Sequence, residues 1–112
     1  MAKKRDQGKY AVMLVTVSSA EEGLRIARSL VDSRLAACVN IIPSLRSIYQ
    51  WQGETQDEEE LLLLIKTRMA LFEQVEDKVK ETHSYEVPEI VALPITQGSE
   101  TYVNWLNQST LS

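Results

Sequence analysis

The chain has 112 residues, 44% of them hydrophobic, and carries a net charge of −4 with a sequence pI near 5.0. That length suits one compact domain able to bury roughly two-thirds of its unfolded-chain surface, enough for a core without disulfides; its single cysteine forbids an intrachain bridge in any case. Lys3, Lys4, Arg5 and Lys9 stand beside one acid, Asp6, so the first nine residues carry +3 and the rest −7, a balance that repels phosphate backbones and argues against DNA or RNA as partner.

Residues 1–9 read as a disordered basic arm ahead of one domain over 10–112. The arm, the apolar stretch 11–17 and the small residues Ser18, Ser19 and Ala20 imitate an export signal. Cleavage there would delete a strand that the domain needs, so the reading is against export. No apolar run reaches the length of a membrane span, and a lone thiol suits a reducing cytoplasm.

In chain order, 10–17 (YAVMLVTV) predicts a buried strand. Ser18 with Glu21, and Ser19 with Glu22, each fit a capping box. The helix so opened runs to about Ser33, with Leu24, Ala27, Leu30 and Val31 on its apolar face and Gly23 a slight weakness. A second strand spans about 36–52, where Pro43 marks a bulge, edge or break because it cannot donate to the ladder. Cys38, among Ala36, Ala37 and Val39, reads as a small buried hydrophobe.

Gly53 predicts a turn, so the next strand returns as the second arm of a long hairpin. Five acids within 54–60 read as a solvated, edge-protecting stretch, and 61–67 (LLLLIKT) as a buried strand. A second helix follows over 69–82 with Phe72, Val75 and Val79 inward. A fourth strand over 87–95 carries two prolines, which predicts an edge position. Ser99 caps a terminal helix bearing Tyr102, Val103, Trp105 and Leu106. The order β-α-β-β-α-β plus a helix predicts an α+β, ferredoxin-like sandwich. Two helices cover one sheet face, and the other needs a partner subunit or the last helix.

Chemistry-bearing motifs are few. Gly8, Gly23, Gly53 and Gly98 are scattered and form no phosphate-binding loop. Cys38 and His83 make a poor nucleophilic pair if the thiol is buried. One histidine and one cysteine cannot by themselves supply the three or four ligands of a soft-metal site. The loop 82–89 collects His83, Tyr85, Glu86 and Glu89, and Lys66 is a plausible neighbour of opposite charge. The bland alternatives are a helix-terminal histidine and a Lys66–Glu89 pair at the sheet end.

From about Val12 to Leu106 the chain resembles the CutA-like divalent-cation tolerance proteins. The strings that carry the resemblance are RLAACVNIIP (34–43), SIYQWQGE (47–54), ELLLLIKT (60–67), HSYEVPEIVALPI (83–95) and YVNWL (102–106). The resemblance implies a ferredoxin-like protomer in a tight homotrimer, the long hairpin reaching neighbouring subunits with Tyr49 and Trp51 as anchors. It implies a non-enzymatic role in tolerance of copper and other divalent metals, with no firm cofactor and Cu²⁺ or another divalent cation as the candidate, and a fold akin to PII-type signalling trimers.

It further implies copper ligation by a first-strand cysteine and two adjacent histidines. Here Val15 and Ser84 occupy two of those positions, leaving His83 alone. Lys66, Tyr85 and Glu89 match the family pattern as an inter-subunit pocket. Three readings follow: weak cation binding at an interface, a PII-like cleft for a small anionic ligand or a protein, and a structural scaffold.

Overall fold

The computed structural model describes residues 9–112. The expected basic arm therefore lies outside the described residues, apart from Lys9, whose carbonyl accepts the Met69 N–H at 2.9 Å. The elements are β1 (Tyr10–Val17), α1 (Ala20–Asp32), β2 (Cys38–Trp51), β3 (Glu54–Arg68), a 3₁₀ turn (Met69–Leu71), α2 (Phe72–Thr82), β4 (Ile90–Pro94) and α3 (Glu100–Ser109). The sheet is antiparallel in its pairings and ordered β2-β3-β1-β4, the arrangement expected of a ferredoxin-like sandwich.

The core lies between the sheet and α1 and α2. Met13, Val15 and Val17 of β1 and Leu63 and Ile65 of β3 meet Ile26, Leu30, Val75 and Val79, all buried. The face of α1 agrees with its periodicity at Ala27 and Leu30 and departs from it at Leu24 and Val31. Glu22, Gly23, Ile26, Ala27 and Leu30 are buried, whereas Leu24 and Val31 are exposed. The cause is Gly23: a Cβ there would stand 3.2 Å from Val17 Cγ2 and 3.4 Å from Leu63 Cδ2. The missing side chain lets the helix close on the sheet along Gly23, Ile26 and Leu30 and turns Leu24 outward.

Gln52 and Gly53 both take positive φ, 52° and 84°, the two-residue primed turn whose twist matches antiparallel strands. Pro43 does mark a bulge. Ile42 faces Leu62 but Leu45 faces Glu60, so β2 holds one residue more than β3 between those pairs. Ser44 absorbs it at φ 65°. One extra residue reverses the alternation of side chains. Beyond it, Tyr49 and Trp51, rather than Ile48 and Gln50, share the face of Glu60.

Two further expectations need correction. The fourth strand begins at Ile90, not Val87: Pro88 has no N–H for a ladder, and Val87 is exposed in the preceding loop. Cys38 is half-buried rather than enclosed, because it opens β2 on the face away from α1 and α2. The edge position of β4 and the Ser99 cap of α3 agree with expectation.

β1 pairs with β3 only from Leu61 to Arg68. Residues 45–51 and 54–60 therefore form a two-stranded ribbon beyond the sheet, about 23 Å long at the usual strand rise. The radius of gyration, 15.1 Å, exceeds the roughly 13 Å of a compact domain this size. On the sheet face away from α1 and α2, α3 covers only one end, packing Leu106 and Val103 against Tyr10 and Ala37. Ile42, Val91 and Leu93 on that face are 41, 44 and 52% exposed.

Candidate functional site

A cavity of about 650 Å³ lies where the ribbon meets the loop between α2 and β4. Ribbon residues Tyr49, Trp51, Glu58 and Glu60 line one side, and Tyr85, Glu86, Val87 and Glu89 of the loop line the other. The bulge at Ser44 brings the two ribbon aromatics here, and the pleat of β3 sets Glu58 and Glu60 beside them. Among the described residues, no lysine or arginine lines it.

Glu60 is the least expected of these groups. It ends the acidic run that the sequence presents as a solvated surface, yet it is 4% exposed. Tyr85 donates its hydroxyl to Glu60 Oε2 at 2.6 Å. Burial first, and the bond to the Glu60 carboxylate second, push the Tyr85 phenol well above its ordinary value. Tyr49 donates to Glu58 Oε1 at 2.8 Å and is raised chiefly by that bond.

His83 sits behind the cavity wall, its side chain fully buried. Nε2 lies 2.7 Å from the Thr16 carbonyl oxygen, which can only accept, and Nδ1 receives the Tyr85 N–H at 3.1 Å. These partners assign the neutral Nε2–H tautomer. The loop is tied further by Glu22, which no local pattern marks as more than a capping residue. Its N–H bonds Ser19 Oγ at 3.1 Å as in a capping box, but its carboxylate reaches Ser84, with Oε2 accepting the Ser84 N–H at 2.7 Å and Oε1 the hydroxyl at 3.1 Å. The second half of the box is thus a tertiary contact.

Of the sequence-predicted residues, Tyr85, Glu89, Tyr49 and Trp51 share the cavity. Lys66 does not join them. It lies six residues along β3 from Glu60, about 20 Å at strand spacing, and donates to Asn40 Oδ1. The Lys66–Glu89 pair is absent from the ion pairs among the described residues. His83 does not fit a copper ligand, since both ring nitrogens are engaged. Among the described residues no three His, Cys, Asp or Glu side chains converge as a metal shell.

A model of the CutA1 divalent ion tolerance protein family matches residues 11–109. The chain belongs to that family. It is 54% identical over 99 residues to the divalent-cation tolerance protein CutA of Thermus thermophilus, covering 88% of this chain and 96% of that one. Over 99 residues it is 50% identical to the chloroplastic CutA of Arabidopsis thaliana, of which it spans about half (54%).

The solved Thermus thermophilus CutA1 structure superposes with a TM-score of 0.88 at 52% identity, over 90% of this chain and 98% of that one. Oryza sativa CutA1 superposes at 0.90 with 44% identity, over 95% and 97%. The family's description names tolerance of divalent ions and no reaction.

Proposed function

We propose that this CutA-family chain works as a non-enzymatic homotrimer in divalent-metal tolerance, presenting ligand-binding clefts where its subunits meet. The observation that carries the reading is the bare face of the sheet, continuous with the ribbon. An isolated two-stranded ribbon is marginal in water, and apolar side chains grouped on a bare sheet face mark an association surface. Covering Ile42, Leu62, Leu64, Val91 and Leu93 with neighbouring subunits, and seating Tyr49 and Trp51 against them, answers both needs at once. The lone half-buried thiol fits a reducing compartment, and we assign the protein to the cytoplasm.

Within this reading the cleft at Tyr85 and Glu89 is the working site, rather than a copper centre at His83. The PII-like alternative, a cleft that receives a small ligand or a protein, is favoured by the cavity's size, which is that of an organic-ligand pocket rather than a single ion's shell. Leu64 tests the assembly. It lies on the bare face between Leu14 and Asn40, so Leu64→Glu should fold but should show one-third of the parent's mass by light scattering. An unchanged mass would overturn the assignment of this face.

A further inference from the structure

We infer that the cavity between the ribbon and the 85–89 loop binds an organic polycation of the aliphatic di- or polyamine class. The inference rests on the cleft reading above and names its ligand chemistry.

Glu60 is the first ground. A carboxylate that is 4% exposed needs a compensating positive charge or a full set of donors. None of the ion pairs among the described residues includes it. Its Oε2 is satisfied by the Tyr85 hydroxyl. Its Oε1 receives no donor from the described residues, and it is not sealed away, since among those residues no fully enclosed side-chain oxygen lacks a partner. That oxygen is left to the cavity.

The cavity's walls are the second ground. Tyr49, Trp51 and Tyr85 bring three aromatic rings to the cavity that holds Glu60 and Glu89. Aromatic faces attract cations, and most strongly where water is excluded. Ile48 and Val87, also lining it, offer apolar surface to methylene groups. Anions are disfavoured, because among the described residues four carboxylates line the space and no lysine or arginine does.

Size separates an organic cation from a metal ion. A bare cation needs several ligands at 2.0–2.6 Å, roughly, from one centre, and no such convergence occurs among the described residues. A chain of ammonium groups spaced by methylenes instead places separate charges at separate carboxylates, within a volume of about 650 Å³.

Isothermal titration of the full chain with spermidine and with 1,4-diaminobutane, at constant ionic strength, tests this. The expected result is saturable binding at one equivalent per chain, tighter for the triamine. Glu60→Gln should weaken it by about tenfold or more, as loss of a charge-assisted contact does. Glu89→Gln, at an exposed position, should weaken it several-fold without touching the fold, which keeps the test valid if the buried variant does not fold.

Absence of saturable heat, unchanged affinity in the folded variants, or complete displacement by Mg²⁺ at equal charge would each overturn the assignment. Sedimentation of the same samples separates the two readings. A trimer that binds no amine sinks the ligand class alone, whereas a monomer that binds sinks the assembly alone.

Discussion

Tyr85 and Glu60, 25 residues apart, meet hydroxyl to carboxylate at 2.6 Å where the loop before β4 closes on the ribbon. The bond joins two segments that share no strand pairing, so it sets the width of the cleft. Its dependence on pH follows from the phenol. Burial and the carboxylate raise the folded-state value above the unfolded one near 10. The protonated form is thus favoured by folding, and its contribution is whole below about pH 10 and drains away as pH rises further. Urea midpoints at about pH 8 and about pH 11 should fall more for the parent than for Tyr85→Phe. Equal losses would show that the bond contributes nothing.

His83 is predicted to be structural. His83→Ala removes two buried hydrogen bonds and a packed ring, and should cost about 2–4 kcal/mol in urea unfolding. Nitrogen-15 spectra of the ring should show the Nε2–H tautomer at neutral pH. Copper affinity by calorimetry should be the same for parent and variant under conditions where both are folded. A selective loss of copper binding with stability intact would instead make His83 a ligand.

The bulge at Ser44 absorbs the one residue by which β2 exceeds β3 and so holds Tyr49 and Trp51 on the face of Glu60. Deleting Ser44 removes that extra residue but leaves every later pair in register, with Leu45 opposite Glu60 and Tyr49 opposite Gln56, so both aromatics keep their face. The deletion should therefore retain assembly and amine binding while the far-UV spectrum stays that of a folded α+β chain. Ser44→Gly, which relieves a positive φ, should keep both and gain up to about 1 kcal/mol. A deletion variant that folds but neither assembles nor binds amine would contradict that register.

The strands and helices were legible because their signals are local. The apolar run 10–17, the Ser19 and Ser99 caps, Pro43 and Gly53 each act within a few residues, and each stands where expected. The inward face of α1 was not legible, because the close approach at Gly23 is set by Val17 and Leu63 across the interface. The site was half legible: Tyr85 and Glu89 carry their chemistry openly, and Tyr49 and Trp51 their bulk.

Glu22 and Glu60 were hidden, since burial of a carboxylate is decided by distant partners, Ser84 and Tyr85, rather than by neighbours in sequence. One signal did point to Glu60. It continues the alternation of Leu62, Leu64 and Lys66 on the bare face, whereas its acidic neighbours 57 and 59 point the other way. Lys66 shares that face but was misplaced at the cleft, because sharing a face over six residues still leaves about 20 Å between side chains.

Sedimentation equilibrium of the full chain at micromolar concentration tests the central claim most directly, because everything assigned to the bare face and the ribbon depends on their being covered. The account predicts a single species of about 38 kDa, three times the 12.7 kDa chain, stable to dilution as expected of an apolar interface. A 12.7 kDa monomer under the same conditions would contradict it.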